Sequence, residues 1–531
     1  MEDQVQNGGQ QQRKKFGGWK VVILTIAVIA VVGVVTTFAF VLNKSPKEQY
    51  FLAEKNSFEQ VMTEVEDRYQ NELDWLAYTE EHAIESVIEL SADMNEPAGM
   101  STGMSAGMDV PQIVNNASLT ITTAQDKQNK QAHTAIEAGV ADIQLTGVEA
   151  YIDEEKAILG LPFIEDMWQV KGANIGTILN HLDPATFTGE EEIDFGMFFE
   201  NSTLPEEDVN YIKEEYGKQL YDALPEDGFS TSSEDVDVEG ETINAEKFEF
   251  HLTEEQLQTI FSDLFATMAE DERLKEIIKE QYQLQTFGGM SGTQSPAIAE
   301  EADQIIEEFQ TAMQEASENV KQLSSPNGMT STIWVNEDMI VKRDFQFEGG
   351  PHEDAVTSLA VEGTWLPKED ESVFQYQVLA DEEAVLQVNG DLSFDGETAN
   401  DVITITADQA TMTLETNETI EEDGKTFERT LSFEDPTMAS TTVIWSGEAS
   451  YEADQMSSSH QLSVDAPQVN QGNVALNINK DASTIDQVEE PTGEQVIDLG
   501  SMSQEGFIQY MENDVIPQFQ QWASQLLGPM Y

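Results

Sequence analysis

Cysteine is absent from the 531-residue chain. That excludes disulfides, zinc–thiolate centres, a thiol nucleophile and a thioether-linked lipid. Histidine is scarce: His82, His133, His181, His251, His352 and His460 are the only six, and no two lie close together in sequence. No H-x-x-x-H or H-E-x-x-H occurs, so a histidine metal site would need assembly from distant segments. Positive charge is scarce too, with 25 Lys and Arg against 101 Asp and Glu and a formal net charge of −76. Such a polyanion is disfavoured as a partner for nucleic acid and for anionic lipid surfaces, because both present phosphates. Neither a G-x-G-x-x-G nor a Walker loop is present. No cofactor is implied, and no residue nominates itself for catalysis, so the chain is expected not to be an enzyme.

Charge vanishes altogether from Val21 to Leu42, in VVILTIAVIAVVGVVTTFAFVL. At about 1.5 Å per residue this run reaches roughly 33 Å, enough for a hydrocarbon core of about 30 Å. It is longer than the apolar region of a cleaved signal peptide, and its nearest small-x-small site, Thr37-Phe38-Ala39, lies inside it. Residues 21–43 are therefore expected to be an uncleaved signal anchor in the lipid bilayer. Arg13, Lys14, Lys15 and Lys20 precede the run, while Lys44, Lys47 and Lys55 follow it. A short basic tail inside, with the large domain exported, is the commoner arrangement. Trp19 on one side, and Tyr50 with Phe51 on the other, suit the two interfacial belts.

Hydrophobic content of 39% and 25 Phe argue that the acidic body folds around cores. Residues 44–80 read as a juxtamembrane helix, with Phe58, Val61, Met62, Val65, Tyr69, Leu73 and Leu76 in an i, i+3, i+4, i+7 rhythm. Short β-type runs follow to about Val170, then helical signals, with Pro205 placed to open a helix. VDVEGETINAEKFEFHLT alternates on both sides of Glu239-Gly240 and predicts a hairpin. Thr253-Glu254-Glu255-Gln256 is a capping box for a helix with an apolar stripe at Leu257, Ile260, Phe261, Leu264, Phe265 and Met268. A second acidic helix uses Ile305, Ile306, Phe309, Met313, Val320 and Leu323. From about 330 to 480 the pattern is an antiparallel meander with turns at Asn389-Gly390, Asp395-Gly396 and Asp423-Gly424. The class is α+β: one transmembrane helix, then a large curved antiparallel sheet with inserted amphipathic helices. The acidic ectodomain spans 81–500, with the helical insertion at about 175–325, and a C-terminal amphipathic helix occupies 501–531.

SPKEQYFLAE after the apolar run, and YQNELDW at 69–75, resemble an uncharacterised family of membrane-anchored extracytoplasmic proteins of bacilli and their relatives. That resemblance implies anchoring and location without an activity. The broad antiparallel sheet with helices inserted midway is similar to the half-barrel of lipoprotein-carrier proteins, a likeness of architecture that brings no functional residue with it.

Candidate sites are few. G-x-S-x-G occurs at Gly99–Gly103 and again at Gly103–Gly107, but a nucleophile elbow needs a strand before and a helix after. Met100, Met104 and Met108, with Met94 upstream, offer soft thioethers to Cu(I), or simply a flexible loop. Asp235-x-Asp237-x-Glu239-Gly240 with Glu246 approaches a calcium loop, yet its flanks are β-type and the turn reading is better. Residues 515–531 carry no charge, and Val515, Ile516, Phe519, Trp522, Leu526 and Leu527 form a candidate interface, with Pro517 in the first helical turn. Docking of that helix on the protein's own sheet is the plainer alternative. The expected role is non-enzymatic binding outside the cell membrane, either of a hydrophobic ligand or lipoprotein, or as a structural or sensory scaffold for another envelope protein. An apolar cavity between the 253–286 helix and the 330–480 sheet would mark a carrier, and a packed core there a scaffold.

Overall fold

The computed structural model describes residues 45–95, 110–140, 143–185, 187–199, 204–287, 296–466, 474–493 and 495–527. The expected anchor at 21–43, both G-x-S-x-G copies and Met100, Met104 and Met108 lie outside them. Among the described residues no helix is long and apolar enough to cross a membrane.

Two helices open the described chain, α1 (Pro46–Arg68) and α2 (Gln70–Glu81). Ser45 caps α1 in a capping box with Glu48, and Pro46 sits where its missing N–H costs nothing. Strands β1 (Ile84–Met94), β2 (Ala117–Asp126), β3 (Gln131–Val140), β4 (Ile143–Ile152), β5 (Lys156–Gly160) and β6 (Met167–Lys171) follow. Next come the hairpin β7 (Phe229–Val238) and β8 (Glu241–Leu252), then helices Glu254–Glu270, Glu272–Phe287 and Pro296–Val320. The meander is β9 (Met329–Asn336), β10 (Met339–Gly349), β11 (Thr357–Pro367), β12 (Glu371–Ala380), β13 (Glu383–Phe394), β14 (Thr398–Ala407), β15 (Ala410–Glu421), β16 (Gly424–Glu434), β17 (Thr441–Tyr451), β18 (Gln455–Asp465) and β19 (Val474–Thr484).

Among the described residues these strands and one short further strand form one twenty-stranded sheet. β7 to β19 pair with their sequence neighbours, β19 pairs with β1, and β1 leads on to β6. The short β20 (Val496–Asp498) joins β6 in parallel, and the named neighbours otherwise pair antiparallel. At the β7 end the sheet curls over: the Thr364 hydroxyl on β11 donates to Glu239 in the β7–β8 turn at 2.5 Å, and Lys368 pairs with Glu241 at 2.9 Å. Val236, Val238, Trp334, Val341 and Leu366 fill that curl.

The main core lies on the opposite face of β8–β10. Leu257, Ile260, Phe261, Leu264 and Phe265 pack there with Val320 and Leu323 against Phe248, Phe250, Ile333, Phe345 and Phe347. The expected stripe and capping box are therefore real, with the Thr253 side chain accepting from Gln256 N–H. The space between this helix and the sheet is filled by packed side chains.

Several expectations are corrected. Tyr50 and Phe51 do not stand at a bilayer interface. They are 3% and 5% exposed, packed with Phe229 and Phe250, and Tyr50 shares a 2.7 Å hydrogen bond with Ser331. Lys47 is buried beside them and donates to the Leu224 carbonyl at 2.7 Å. Asn389-Gly390 is not a turn but the middle of β13, where Gly390 faces Phe374. A Cβ at Gly390 would come within 2.2 Å of the Phe374 ring, so glycine is needed for close approach and not for φ. The real turns at Glu337-Asp338 and Asp381-Glu382 put acidic residues at φ of 51° and 66°, an unusual choice that hid them from sequence. Glu239-Gly240, at φ 51° and 81°, is the predicted hairpin turn, both residues having the positive φ of a type I′ turn.

Pro517 also sits differently. It lies inside helical chain that begins at Gln504, just after a π-helical turn at Met511–Val515. Its ring displaces the carbonyl four residues back and supplies no N–H, which the widened turn accommodates.

Candidate binding face

α1 and α2 cross the sheet at a high angle to its strands. Arg343 on β10 holds Glu54 with two bonds of 2.8 and 2.6 Å, and Ser57 accepts from Ile340 N–H. Fourteen residues later, Arg68 reaches Asp401 on β14 at 2.6 Å and Glu418 on β15 at 2.9 Å. A helical advance of about 21 Å matches four strand spacings of roughly 4.8 Å. Beyond a break at Tyr69, Glu72 pairs with Lys425 on β16, and Tyr78 bonds Thr484 at the end of β19 at 3.0 Å. The helices thus strap one face of the sheet.

At about 100° per residue, Glu54, Phe58, Val61, Val65 and Arg68 fall on one stripe roughly 80° wide. Its two ends grip the sheet through salt bridges. The apolar residues between them stay open, with Phe58, Val61 and Val65 at 47%, 45% and 44% exposed. Leu73 and Leu76 on α2 are exposed as well.

The register divides the sheet residues below the strap sharply. Cross-strand partners share a face, so the strapped face of β14–β19 carries the rows Ile403–Leu414–Leu431–Val443–Val464, Asp401–Thr416–Arg429–Trp445–Leu462–Leu476 and Ala399–Glu418–Phe427–Gly447–His460–Ile478. A further row runs Lys425–Ala449–Ser458–Lys480. Glu415, Glu428, Glu434, Glu448, Asp465 and Asp481 alternate onto the other face. Every Lys and Arg from position 369 onward, namely Lys425, Arg429 and Lys480, points to the strapped face. Leu431 and Leu476 are 38% and 41% exposed, and Leu414, Val443 and Leu462 are half-buried.

Glu418 is the hub of the polar contacts. Its side chain is fully buried and takes Arg68 and Arg429 together. Burial pushes its carboxyl pKa up, but hydrogen bonding and charge from the two arginines outweigh that and leave it below the ordinary value. Arg429 also lies over the rings of Phe427 and Trp445, 4.9 and 5.0 Å from their centroids. Phe427, Trp445 and His460 meet edge-on or tilted, 5.1–5.9 Å apart, around Gly447. A Cβ at Gly447 would fall 2.8 Å from His460 Nδ1 and 3.1 Å from the Phe427 ring. Burial, followed by Lys425, Arg429 and Lys480, holds the His460 pKa below its ordinary value. Trp445 Nε1 and His460 Nδ1 are both buried without a hydrogen-bond partner among the described residues.

The residues singled out from sequence are scattered. Of the C-terminal set, Val515 is buried, Ile516 and Phe519 are exposed at 43% and 46%, and Trp522 is half-buried. Phe163 meets Phe519 at 5.3 Å and Trp522 at 5.9 Å, while Leu526 and Leu527 lie in the last helical turn. The calcium-loop carboxylates diverge: Asp235 accepts from Asn244, Glu246 from Thr231 and Glu239 from Thr364. No group of three metal-ligating side chains converges among the described residues. Met94 ends β1. Nothing in the local sequence links His460 to Trp445 and Phe427, which come from other strands. The alternation around Arg429 and Trp445 was the available signal. Two depressions, of about 440 and 500 Å³, are lined largely by polar and acidic residues such as Glu348 and Glu362, or Glu448 and Ser459.

No family model matches the chain, and no curated protein matches it. Among solved structures it is similar to OccK9 (OpdG) of Pseudomonas aeruginosa, at 6% identity and a TM-score of 0.22, over 77% of this chain and 99% of that one. It is likewise similar to Wzi, an Escherichia coli outer membrane protein involved in group 1 capsule assembly and described as a carbohydrate-binding β-barrel. There the identity is 8% and the TM-score 0.22, over 84% of this chain and 90% of that one. Likeness at this level says nothing of what this chain binds.

Proposed function

We propose that this is a non-enzymatic, membrane-anchored extracytoplasmic protein whose strapped sheet face takes a hydrophobic ligand. The observation that carries the reading is the exposed apolar stripe of α1, Phe58, Val61 and Val65, held between anchors on β10 and β14–β15, over a sheet face where Val361, Val378, Leu386 and Val388 are only half covered. Solvent-exposed apolar area of this kind, rimmed by polar residues, marks a binding surface more often than a free one. The charge-free run at 21–42 supports attachment to the cell membrane with the acidic body outside.

Mass spectrometry of molecules that co-purify with the detergent-extracted protein tests the ligand. The expected result is an amphiphile enriched over a Phe58→Ser/Val61→Ser/Val65→Ser variant. Equal recovery from both would overturn the reading. Protease added to intact cells tests the location, and a protected body would refute it.

The packed core beneath Leu257–Phe265 favours a second reading, a scaffold for another envelope protein. In that case cross-linking in cells would capture one dominant protein through Ile516 and Phe519, with no amphiphile enriched.

A further inference from the structure

Buried ion pairs tie both ends of α1 to the sheet, Glu54 to Arg343 on β10, and Arg68 to Asp401 on β14 and Glu418 on β15. Between those ties the polar side chains of α1 bond within the helix, Gln60 to Glu64 and Thr63 to the Glu59 carbonyl. Phe58, Val61 and Val65 share the stripe of Glu54 and Arg68 and so face the sheet, yet all three are exposed. The helix is a bridge with open space under its span.

The sheet below is shaped to leave that space. Arg343 is in register with Gly363 on β11 and Tyr376 on β12. One row nearer Asp401, Phe374 is in register with Gly390 and Ile403. The line from Arg343 to Asp401 therefore passes over two glycines and two aromatic rings. A Cβ at Gly363 would fall 2.0 Å from the Tyr376 ring, as one at Gly390 would fall 2.2 Å from Phe374. Each ring lies down over its glycine neighbour instead of standing up toward α1. The two ring centroids are 6.2 Å apart, and both residues are half-buried. Roof and floor are thus apolar, and the Tyr376 hydroxyl makes no hydrogen bond among the described residues.

We infer that this span takes one linear, uncharged hydrocarbon chain, as in a fatty alcohol or ester, threaded along the strands beneath α1 and over the Tyr376–Phe374 floor. This deepens the proposed function and rests on it. Two features set the ligand class. The strap is tied at both ends, so an occupant enters endwise unless a buried ion pair breaks and leaves a charge unmatched. That selects a chain over a ring or a folded body. The arginines flanking the span already hold carboxylates, so a charged headgroup would lose its water there without gaining a partner.

The test is calorimetry on full-length protein in phosphatidylcholine nanodiscs at pH 8, with octanol, octanoate and cyclooctanol each corrected for partition into empty nanodiscs. Octanol should bind at least about tenfold more tightly than octanoate, whose carboxylate would be buried unpaired. It should also bind severalfold more tightly than cyclooctanol, which has as many carbons but cannot thread. Val61→Trp fills the span from an exposed position and should abolish octanol binding, while Val61→Ala should keep it. Tyr376→Phe should weaken octanol severalfold. Octanoate or cyclooctanol binding as tightly as octanol would overturn the linear, uncharged chain and leave the hydrophobic reading standing. Octanol binding undiminished in Val61→Trp would overturn the site beneath α1. No binding of any probe would overturn both readings. If Val61→Trp alters the near-ultraviolet circular dichroism, Val65→Trp takes its place, and retained octanol binding in that variant would equally overturn the site.

Discussion

Arg68 of α1 donates through Nε to the buried carboxylate of Glu418 at 2.9 Å, although 350 residues separate them. This contact, shared with Arg429, fixes the far end of α1 over the sheet and so defines the face beneath it.

Removing one partner of such a cluster leaves a buried charge unmatched. Glu418→Gln is expected to cost about 3 kcal/mol, at the lower end of the range for breaking buried pairs. Urea unfolding should show a lowered midpoint, and Arg68→Ala should show a comparable loss. Additive losses in the double variant would disprove the coupling.

The same carboxylate gives a pH dependence with a definite sign. Its pKa is lower in the folded protein than its ordinary value of 4.5. Its contribution is therefore complete above that value and is lost as pH falls through the depressed folded value. Stability measured from pH 7 down to 3 should fall more steeply in the native protein than in Glu418→Gln. Parallel curves would count against the assignment.

Gly390→Ala tests the close approach of β12 to β13. The added methyl would meet the Phe374 ring at 2.2 Å, and overpacking of this kind costs about 1–3 kcal/mol. Gly390→Ala combined with Phe374→Leu should recover part of the loss. A neutral Gly390→Ala would show that the ring moves freely.

The Thr253 cap is a smaller, local test. Thr253→Ala removes the acceptor for Gln256 N–H and should lower stability by about 1 kcal/mol without changing the fold. Thr253→Ser should restore it. Thermal unfolding followed by circular dichroism measures both.

Much of this architecture could be read locally. The capping box at Thr253, the stripe from Leu257 to Phe265 and the Glu239-Gly240 turn all depend on residues within a few positions of one another, and all are present. What escaped depended on distant partners or on unusual turn chemistry. β5 is five residues long and reads weakly alone. Asp381-Glu382 turns the chain without glycine, while Gly390 serves packing. The candidate face was half legible: alternation separated Arg429 and Trp445 from Glu428 and Glu448, but nothing local joined them to His460 or Lys480.

The amino-acid order by itself determined the class, the long acidic meander, the amphipathic helices and the uncharged run at 21–42, because each follows from periodicity and composition over short windows. Only the tertiary structure decided that Tyr50 and Phe51 are core, that α1 bridges the sheet, and that the late cations share a face with Trp445 and His460. The physical reason is that strand register and helix crossing are set by contacts between residues hundreds of positions apart, about which local pattern carries no information.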